Sequence, residues 1–403
     1  MLKEISIKNF KSIAEDTIQL GRVNVFIGEN GCGKSNILEA VGFASADKHD
    51  NEYLANLGIR VAKPSLIISN FKGNRQKKYF SIDIKFNEKE NRSFSFYTEN
   101  KENINETWNI EQMVSSNFFE TIYDLISKNP NKFQEIANSM GEKQAKETED
   151  LITMVNELKK VDYKTITELR QNSNLHLQNF LIYSINTLVL RGFTQESRKE
   201  PVGIYGENLD VLIANFDKEE QKQLKKYNYL IDWLDNYFVD VNDLMKLKGY
   251  KLNRSKSTLY FSDKFMSKKN NIFSSENANE GILHVLFYLA IMISKRTPKF
   301  FAIDNIESCL NPHLCQHLMV EMCKLAKEND KQMLITTHNP AILDGLNLFD
   351  DEIRLFEVKR LENGHSKTRR IKLKPEVQNE MGEKYKLSEL WTRGFLGAIS
   401  QNF

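Results

Sequence analysis

An α/β architecture built on a parallel sheet is predicted by three stretches of this 403-residue chain. Gly28–Ser35 is a glycine-rich loop that sits between a short apolar run and an apolar helical pattern. Residues 299–346 alternate compact apolar strands with helices, and residues 101–253 change to Lys/Glu/Asn-rich sequence with helical spacing. Strand-loop-helix units repeated in this way imply a mixed and parallel sheet flanked by helices, here carrying an inserted, mainly helical lobe.

The elements follow in order. Met1–Phe10 alternates apolar and polar residues (Leu2, Ile5, Ile7, Phe10), which predicts a half-buried strand. Phe10–Ile13 reads as a turn and Thr17–Leu20 as a second short strand. Arg22–Ile27 is a strand that leads into Gly-Glu-Asn-Gly-Cys-Gly-Lys-Ser, residues 28–35, which fits the spacing G-x-x-x-x-G-K-[ST]. Glycines let successive backbone N–H groups converge on a phosphate, so Asn30, Gly31, Cys32, Gly33, Lys34, Ser35 and Asn36 are the candidate phosphate contacts. Lys34 would reach the β- and γ-oxygens, and the Ser35 hydroxyl would sit on Mg²⁺. Lys34–Ala44 reads as the following helix, with Ile37, Leu38, Val41 and Phe43 on it. Ser65–Ser69 and Tyr79–Phe86 alternate around a basic turn, Lys72–Lys78, and Phe94, Phe96 and Tyr97 suggest one more strand of an antiparallel layer.

Helical stripes follow at Leu151, Val155 and Leu158, at Leu177, Leu181, Ser184, Ile185 and Leu188, and at Leu224, Tyr227, Ile231, Leu234 and Phe238. They read as packing faces, with a partner-binding surface as the sharper alternative. Sustained heptads and internal repeats are both lacking, so the insertion is a lobe and not a rod. Tyr250–Phe261 suggests a hairpin strand and Phe273–Gly281 a polar loop; Ile282–Ser294 is a strongly apolar helix. Lys299–Ile303 is a strand ending in Asp304, Pro312–Glu328 a helix, Gln332–Thr337 a strand ending at His338, and Pro340–Leu346 a short helix. The expected divisions are 1–100, 101–272, 273–356 and 357–403.

Lys+Arg number 56 against Asp+Glu 54, a formal charge of +2, so the chain as a whole carries no strong bias toward nucleic acid or membrane. The four cysteines form no C-x-x-C pair and suit a reducing compartment; Cys309, Cys315 and Cys323 match no zinc spacing. Neither a signal peptide nor a run of 18 apolar residues is present, and a soluble cytoplasmic protein is expected.

Two strand ends complete the candidate site. Asp304, closing Phe-Phe-Ala-Ile, is placed to hold Mg²⁺ through water opposite Ser35. His338, in Thr-Thr-His-Asn-Pro, is placed to hydrogen-bond the γ-phosphate and the attacking water.

With these residues the sequence resembles the ABC-like ATPases of the RecF, SMC and OLD type, including the "AAA family" ATPases encoded with an effector in bacterial anti-phage systems. The resemblance rests on Leu2–Ser12, the phosphate loop, Asp304–Pro312 and Thr336–Pro340. It implies an ABC-type P-loop ATPase head, ATP and Mg²⁺ as ligands, and hydrolysis of ATP to ADP and phosphate. The family reads Asp-Glu-Pro-Glu where this chain reads Asp304-Asn305-Ile306-Glu307, so Asn305 stands at the usual catalytic glutamate. An amide cannot take a proton from water, which implies slow hydrolysis or ATP-gated switching; Glu307 matches the second glutamate and could position the water. Two heads of such proteins sandwich ATP. Asn279-Glu280-Gly281 resembles the signature loop each head offers the other, with Asn279 and Gly281 as ligands, although an ordinary helix cap explains the same residues. A homodimer or higher homo-oligomer follows, with a separate effector, a nuclease or toxin, as partner, since no OLD-type Toprim nuclease centre is visible. A RecF-like DNA-maintenance ATPase and a nucleotide-gated structural oligomer are the competing readings.

The tail carries Lys359, Arg360, Lys367, Arg369, Arg370, Lys372 and Lys374 around an Asn363-Gly364 turn, a basic hairpin that is either a solvated strand pair or a DNA contact. Trp391, Phe395 and Phe403 call for docking on the core or on a partner.

Overall fold

The computed structural model describes residues 1–72, 77–87, 90–114, 177, 179–193, 201–252, 255–372 and 386–396. Its central sheet combines Val23–Ile27 (β3), Ile182–Tyr183 (β7), Phe300–Ile303 (β11), Gln332–Thr336 (β12), Ile353–Arg360 (β13) and Ser366–Ile371 (β14) in the order β14-β13-β3-β12-β11-β7. All neighbours pair parallel except β13 with β14. Every residue of β3, β11 and β12 is buried, as a parallel sheet covered on both faces requires, and this is why these strands read as largely apolar, Asn24, Gln332 and Thr336 excepted. Their carboxyl ends open side by side onto residues 28–33, 304 and 337–338, where open α/β sheets bind ligands.

A second, antiparallel sheet runs β2-β1-β4-β5-β6 through Ile13–Gln19 (β2), Glu4–Phe10 (β1), Tyr79–Asn87 (β4), Glu90–Tyr97 (β5) and Asn109–Val114 (β6). Helix α1 (Lys34–Ser45) lies against strands of both sheets. Phe43 near its end meets Phe10, Phe80, Phe96 and Trp108 edge-on at 5.4, 5.4, 5.8 and 6.0 Å between ring centroids. Edge-to-face aromatic contacts of this kind add about 0.5–1.5 kcal/mol each beyond area burial and fix the helix axially. The one buried carboxylate of α1, Glu39, is held by Lys11 and by Arg60 at 2.6 Å. Opposite charges on both sides make its burial tolerable.

Several local expectations change. The second strand begins at Ile13, directly after a two-residue turn, because Phe10 and Ile13 pair across it. Ser65–Ser69 is no strand: Pro64 at the first helical position starts a single-turn helix, α3 (Pro64–Ile67), after α2 (Asn51–Asn56). The stripe from Leu177 to Leu188 is no helix either. Leu181 and its neighbours feed β7, which completes the central sheet beside β11, and only Thr187–Leu190 (α4) is helical, capped by Asn186. The stripe from Leu224 to Phe238 divides into α6 (Lys218–Lys225), which follows α5 (Leu209–Ala214), and the strand β8 (Leu234–Val239). β8 pairs with β9 (Leu259–Asp263), and β9 with β10 (Ile272–Ser274), in a small antiparallel sheet that also absorbs part of the stretch read as a polar loop. A period of 3.6 and a period of 2 are hard to separate in short apolar runs, and tertiary pairing decides. The stripe at Leu151, Val155 and Leu158 lies outside the described residues. So do Lys374 and Phe403. After α7 (Leu244–Leu247), α8 (Glu280–Ile293) and α9 (Pro312–Glu328) form where expected, followed by a 3-10 helix at Pro340–Gly345.

The expected division at 356/357 falls inside β13, whose register with β3 runs from Ile353 to Glu357, so the basic hairpin is part of the central sheet. Trp391 docks on the chain's own core: α10 (Leu387–Thr392) is anchored by Ser388, whose N–H and hydroxyl donate to Asp344 at 2.9 and 2.7 Å, and Trp391 is buried while Phe395 stays exposed. Lys331 closes the end of α8. Its ammonium donates to the Ser294, Thr297 and Pro298 carbonyls at 2.8, 3.0 and 3.2 Å, and burial pulls its pKa down to about 7.

His284, buried in α8, is held neutral because burial lowers its pKa from 6.5 to about 4. The unfolded chain therefore binds this proton first as pH falls from 6.5. Stability should drop toward pH 4 by up to about 1.4 kcal/mol per pH unit from this group. Denaturant unfolding at stepped pH checks it: His284→Gln should fall less steeply than the wild-type chain in that window, and equal slopes would refute the assignment.

Candidate functional site

The loop after β3 turns through three left-handed glycines, Gly28 at φ 153°, Gly31 at 75° and Gly33 at 109°. Gly33 is also the N-cap of α1 and supplies no side-chain cap, which leaves the first N–H groups of the helix facing the loop. Lys34 is buried. Its ammonium donates to the carbonyls of Gly28 at 2.8 Å and Glu29 at 2.9 Å, so it is folded back over the loop. Burial lowers its pKa, while Cys32, Asp304 and Glu307 pull it upward. Cys32 is buried inside the loop, and that burial raises its thiol pKa.

Strand ends β11 and β12 bring the acidic half to the same place. The Ser35 hydroxyl stands 3.1 Å from both carboxylate oxygens of Asp304. Thr336 donates to Asp304 and accepts the Asn305 N–H at 2.9 Å, which orients the carboxylate. Asn305 is exposed and left-handed at φ 57°, a conformation that Asn adopts more readily than most residues. Glu307 accepts the His338 N–H on Oε1 at 2.8 Å, whereas its Oε2 is buried and has no hydrogen-bond partner among the described residues. Burial and the charge of Lys34 lower the pKa of His338, which favours a neutral ring.

The residues present fit a magnesium-bound triphosphate. A hydroxyl and a carboxylate side by side are hard oxygen donors of the type Mg²⁺ takes, and Glu307, three residues after Asp304, has an unpartnered buried carboxylate oxygen. The structure thus gathers Lys34, Ser35, Asp304, Glu307 and His338. Asn279 and Gly281 have other neighbours: Asn279 caps α8 through the Ile282 N–H at 3.1 Å, and Gly281 faces Cys309 and Leu314.

Sequence reasoning missed the buttress of the loop. The Ser366 hydroxyl donates to the Cys32 carbonyl at 2.5 Å and touches the Ser12 hydroxyl at 2.6 Å, which in turn accepts from Asn36 at 2.7 Å. Arg360 donates to the Gly31 carbonyl at 3.2 Å. Thr336 lay within a run already singled out, but nothing in the sequence ties Ser12 to Ser366. Four further hairpin cations are engaged too. Lys359 and Arg369 pair with Glu357 at 2.7 Å each, Lys367 with Asp16 at 3.0 Å and Arg370 with Asp351 at 2.6 Å. Among the described residues these four are spread over three carboxylates and do not form an unpaired basic stripe.

Among the described residues, no helix is long and apolar enough to cross a membrane, and no group of three or more His, Cys, Asp or Glu side chains could hold a metal ion. Residues 23–344 match the family described as "AAA domain, putative AbiEii toxin, Type IV TA system". Over 72 residues the chain is 36% identical to "DNA replication and repair protein RecF" of Bacteroides thetaiotaomicron, which covers 18% of this chain and about a fifth (20%) of that relative's length. Similar solved structures include an SMC head bound to the C-terminal winged-helix domain of ScpA (13% identity, 92% of this chain and 98% of that one, TM-score 0.49). The SMC head domain from Thermotoga maritima is another (12% identity, 92% and 99%, TM-score 0.45).

Proposed function

This chain belongs to the AAA-domain family whose model matches residues 23–344, as an ABC-like P-loop ATPase, and on that premise we propose that it binds and slowly hydrolyses ATP with Mg²⁺. The observation that carries the reading is the convergence of Ser35, Asp304, Thr336, Glu307 and His338 beside the phosphate loop. Bound Mg²⁺ would neutralise charge on the β- and γ-phosphates. Ser35 and Asp304 would hold the metal, Lys34 would turn from its loop carbonyls to the phosphate oxygens, and the loop N–H groups would offset the rest of the negative charge. Glu307, through Oε2, would orient the attacking water and receive its proton as the new O–P bond forms and the bond to ADP breaks, while neutral His338 would donate a hydrogen bond to the γ-phosphate. Asn305, where the family resemblance places a catalytic glutamate, lacks the basicity for that task, so it falls to Glu307 two residues on and hydrolysis is slower than with a carboxylate at 305.

Asn279 and Gly281, at the start of α8, reach the γ-phosphate of a second copy, so ATP joins two heads. Two such copies control a separate effector, a nuclease or toxin, in an anti-phage system within the cytoplasm; the family description, which names a toxin of a Type IV system, supports a defence setting. RecF-like DNA binding is the second reading, favoured by the RecF match over 72 residues. It requires DNA-stimulated hydrolysis that fades with salt, and the paired hairpin cations weigh against it.

Size-exclusion chromatography tests the joint. Wild-type chain with ATP and Mg²⁺ should elute as a dimer or larger, and Gly281→Asp should remain at its nucleotide-free position while still binding ATP. Identical wild-type profiles with and without ATP would overturn the nucleotide-driven pair.

A further inference from the structure

His313 and His317 lie one helical turn apart at the start of α9, both exposed, in the segment that follows Asp304–Leu310. Their Nε2 atoms approach to 3.1 Å and their ring centroids to 4.3 Å. Two nitrogens bound about 2.0–2.1 Å from one zinc-class cation at a near-right to tetrahedral angle stand about 2.9–3.4 Å apart. The separation in the protein falls inside that span. A single N–H···N bond would occupy the same distance, but it would leave both rings in water, where such a bond adds little.

We propose that His313 and His317 form a bidentate site for a divalent transition cation of the zinc class, separate from the magnesium position at Ser35 and Asp304. Neutral imidazole is the ligand type such ions prefer, whereas Mg²⁺ prefers oxygen, so the two sites select different metals. Residues four apart on a helix share one face, and the helix holds both rings before any metal arrives, so little ordering is required. Asn311 caps this helix by accepting the Leu314 N–H at 2.9 Å, which fixes the first turn carrying His313. The positive end of the helix dipole works against a cation, so affinity rests on the two nitrogens. Water completes the coordination. Because α9 begins where the Asp304–Leu310 segment ends, a bound cation tethers the first two turns of the helix behind the acidic half of the nucleotide site.

Isothermal titration of Zn²⁺ into the full-length, tag-free chain without nucleotide tests this independently of any ATP chemistry. One cation per chain is expected. His313→Ala and His317→Ala should each remove the chelate, a loss exceeding the roughly 10–100-fold that follows removal of an outer-sphere partner elsewhere. His365→Ala, elsewhere on the surface, should bind as the wild type does. Protons compete for both ring nitrogens, so the affinity should also weaken in acid. Zinc binding retained in both single variants, or absent from the wild-type chain, would overturn the proposal. Circular dichroism of each variant, matching the wild-type spectrum, separates loss of the ligand from loss of fold.

Discussion

Replacing Glu307 by glutamine is expected to lower steady-state phosphate release by about 10²–10⁴-fold, the share of the rate that general-base help supplies. The side chain keeps its shape in this exchange. The His338 N–H can still be accepted by the amide oxygen, so the 2.8 Å contact survives and the buried Oε2 position alone loses its charge. Nucleotide affinity should be unchanged. The companion variant, Asn305→Glu, restores a carboxylate at the exposed position one residue after Asp304 and should raise the rate. Its left-handed backbone at φ 57° suits Asn, so glutamate there should cost about 1–2 kcal/mol of stability. Single-turnover and steady-state assays of both chains decide the matter: a Glu307→Gln rate equal to wild type removes that residue from the mechanism.

Gly33→Ala is expected to weaken ATP binding by about 5–150-fold, because a left-handed non-glycine residue alone costs of order 1–3 kcal/mol. Gly33 sits at φ 109°, and an added Cβ would fall 2.3 Å from the Ser366 hydroxyl and 2.7 Å from the Ser12 hydroxyl. Both hydroxyls are committed to the loop buttress and have nowhere to go. Adding Ser366→Ala removes the nearest overlap but not the backbone strain, so the double variant should recover only part of the affinity. Equilibrium binding of a fluorescent ATP analogue measures it, and an undiminished Gly33→Ala affinity would mean the loop does not grip phosphate in the described conformation.

Much of the nucleotide half was legible because its chemistry is local. The phosphate loop, the apolar strands that end in Asp304 and His338, and the helices Glu280–Ile293 and Pro312–Glu328 carry their signals within a few residues of sequence. Buried parallel strands need apolar side chains on both faces, so Phe300–Ile303 and Gln332–Thr336 could scarcely be missed. The rest depended on distant partners. Ile182–Tyr183 is two residues long and is a strand only because β11 lies beside it. Leu234 and Phe238 are four apart, as on a helix face, yet the pairing with Leu259–Asp263 makes them a strand. The hairpin cations read in the sequence as either a solvated strand pair or a DNA contact, and only the structure sets Glu357, Asp16 and Asp351 beside them. None of these acids is near in sequence to all the bases it serves.

The clasp between Ser366 and Cys32 also orders events in time. The two residues are 334 positions apart, and a ribosome adding about 5–20 residues per second needs roughly 17–67 s to travel from one to the other. During that interval the emerging chain carries a complete glycine-rich loop with no far strand to brace it. Bracing of the glycine-rich loop from its far strand is thus available to a newly made copy only after residue 366 has been added.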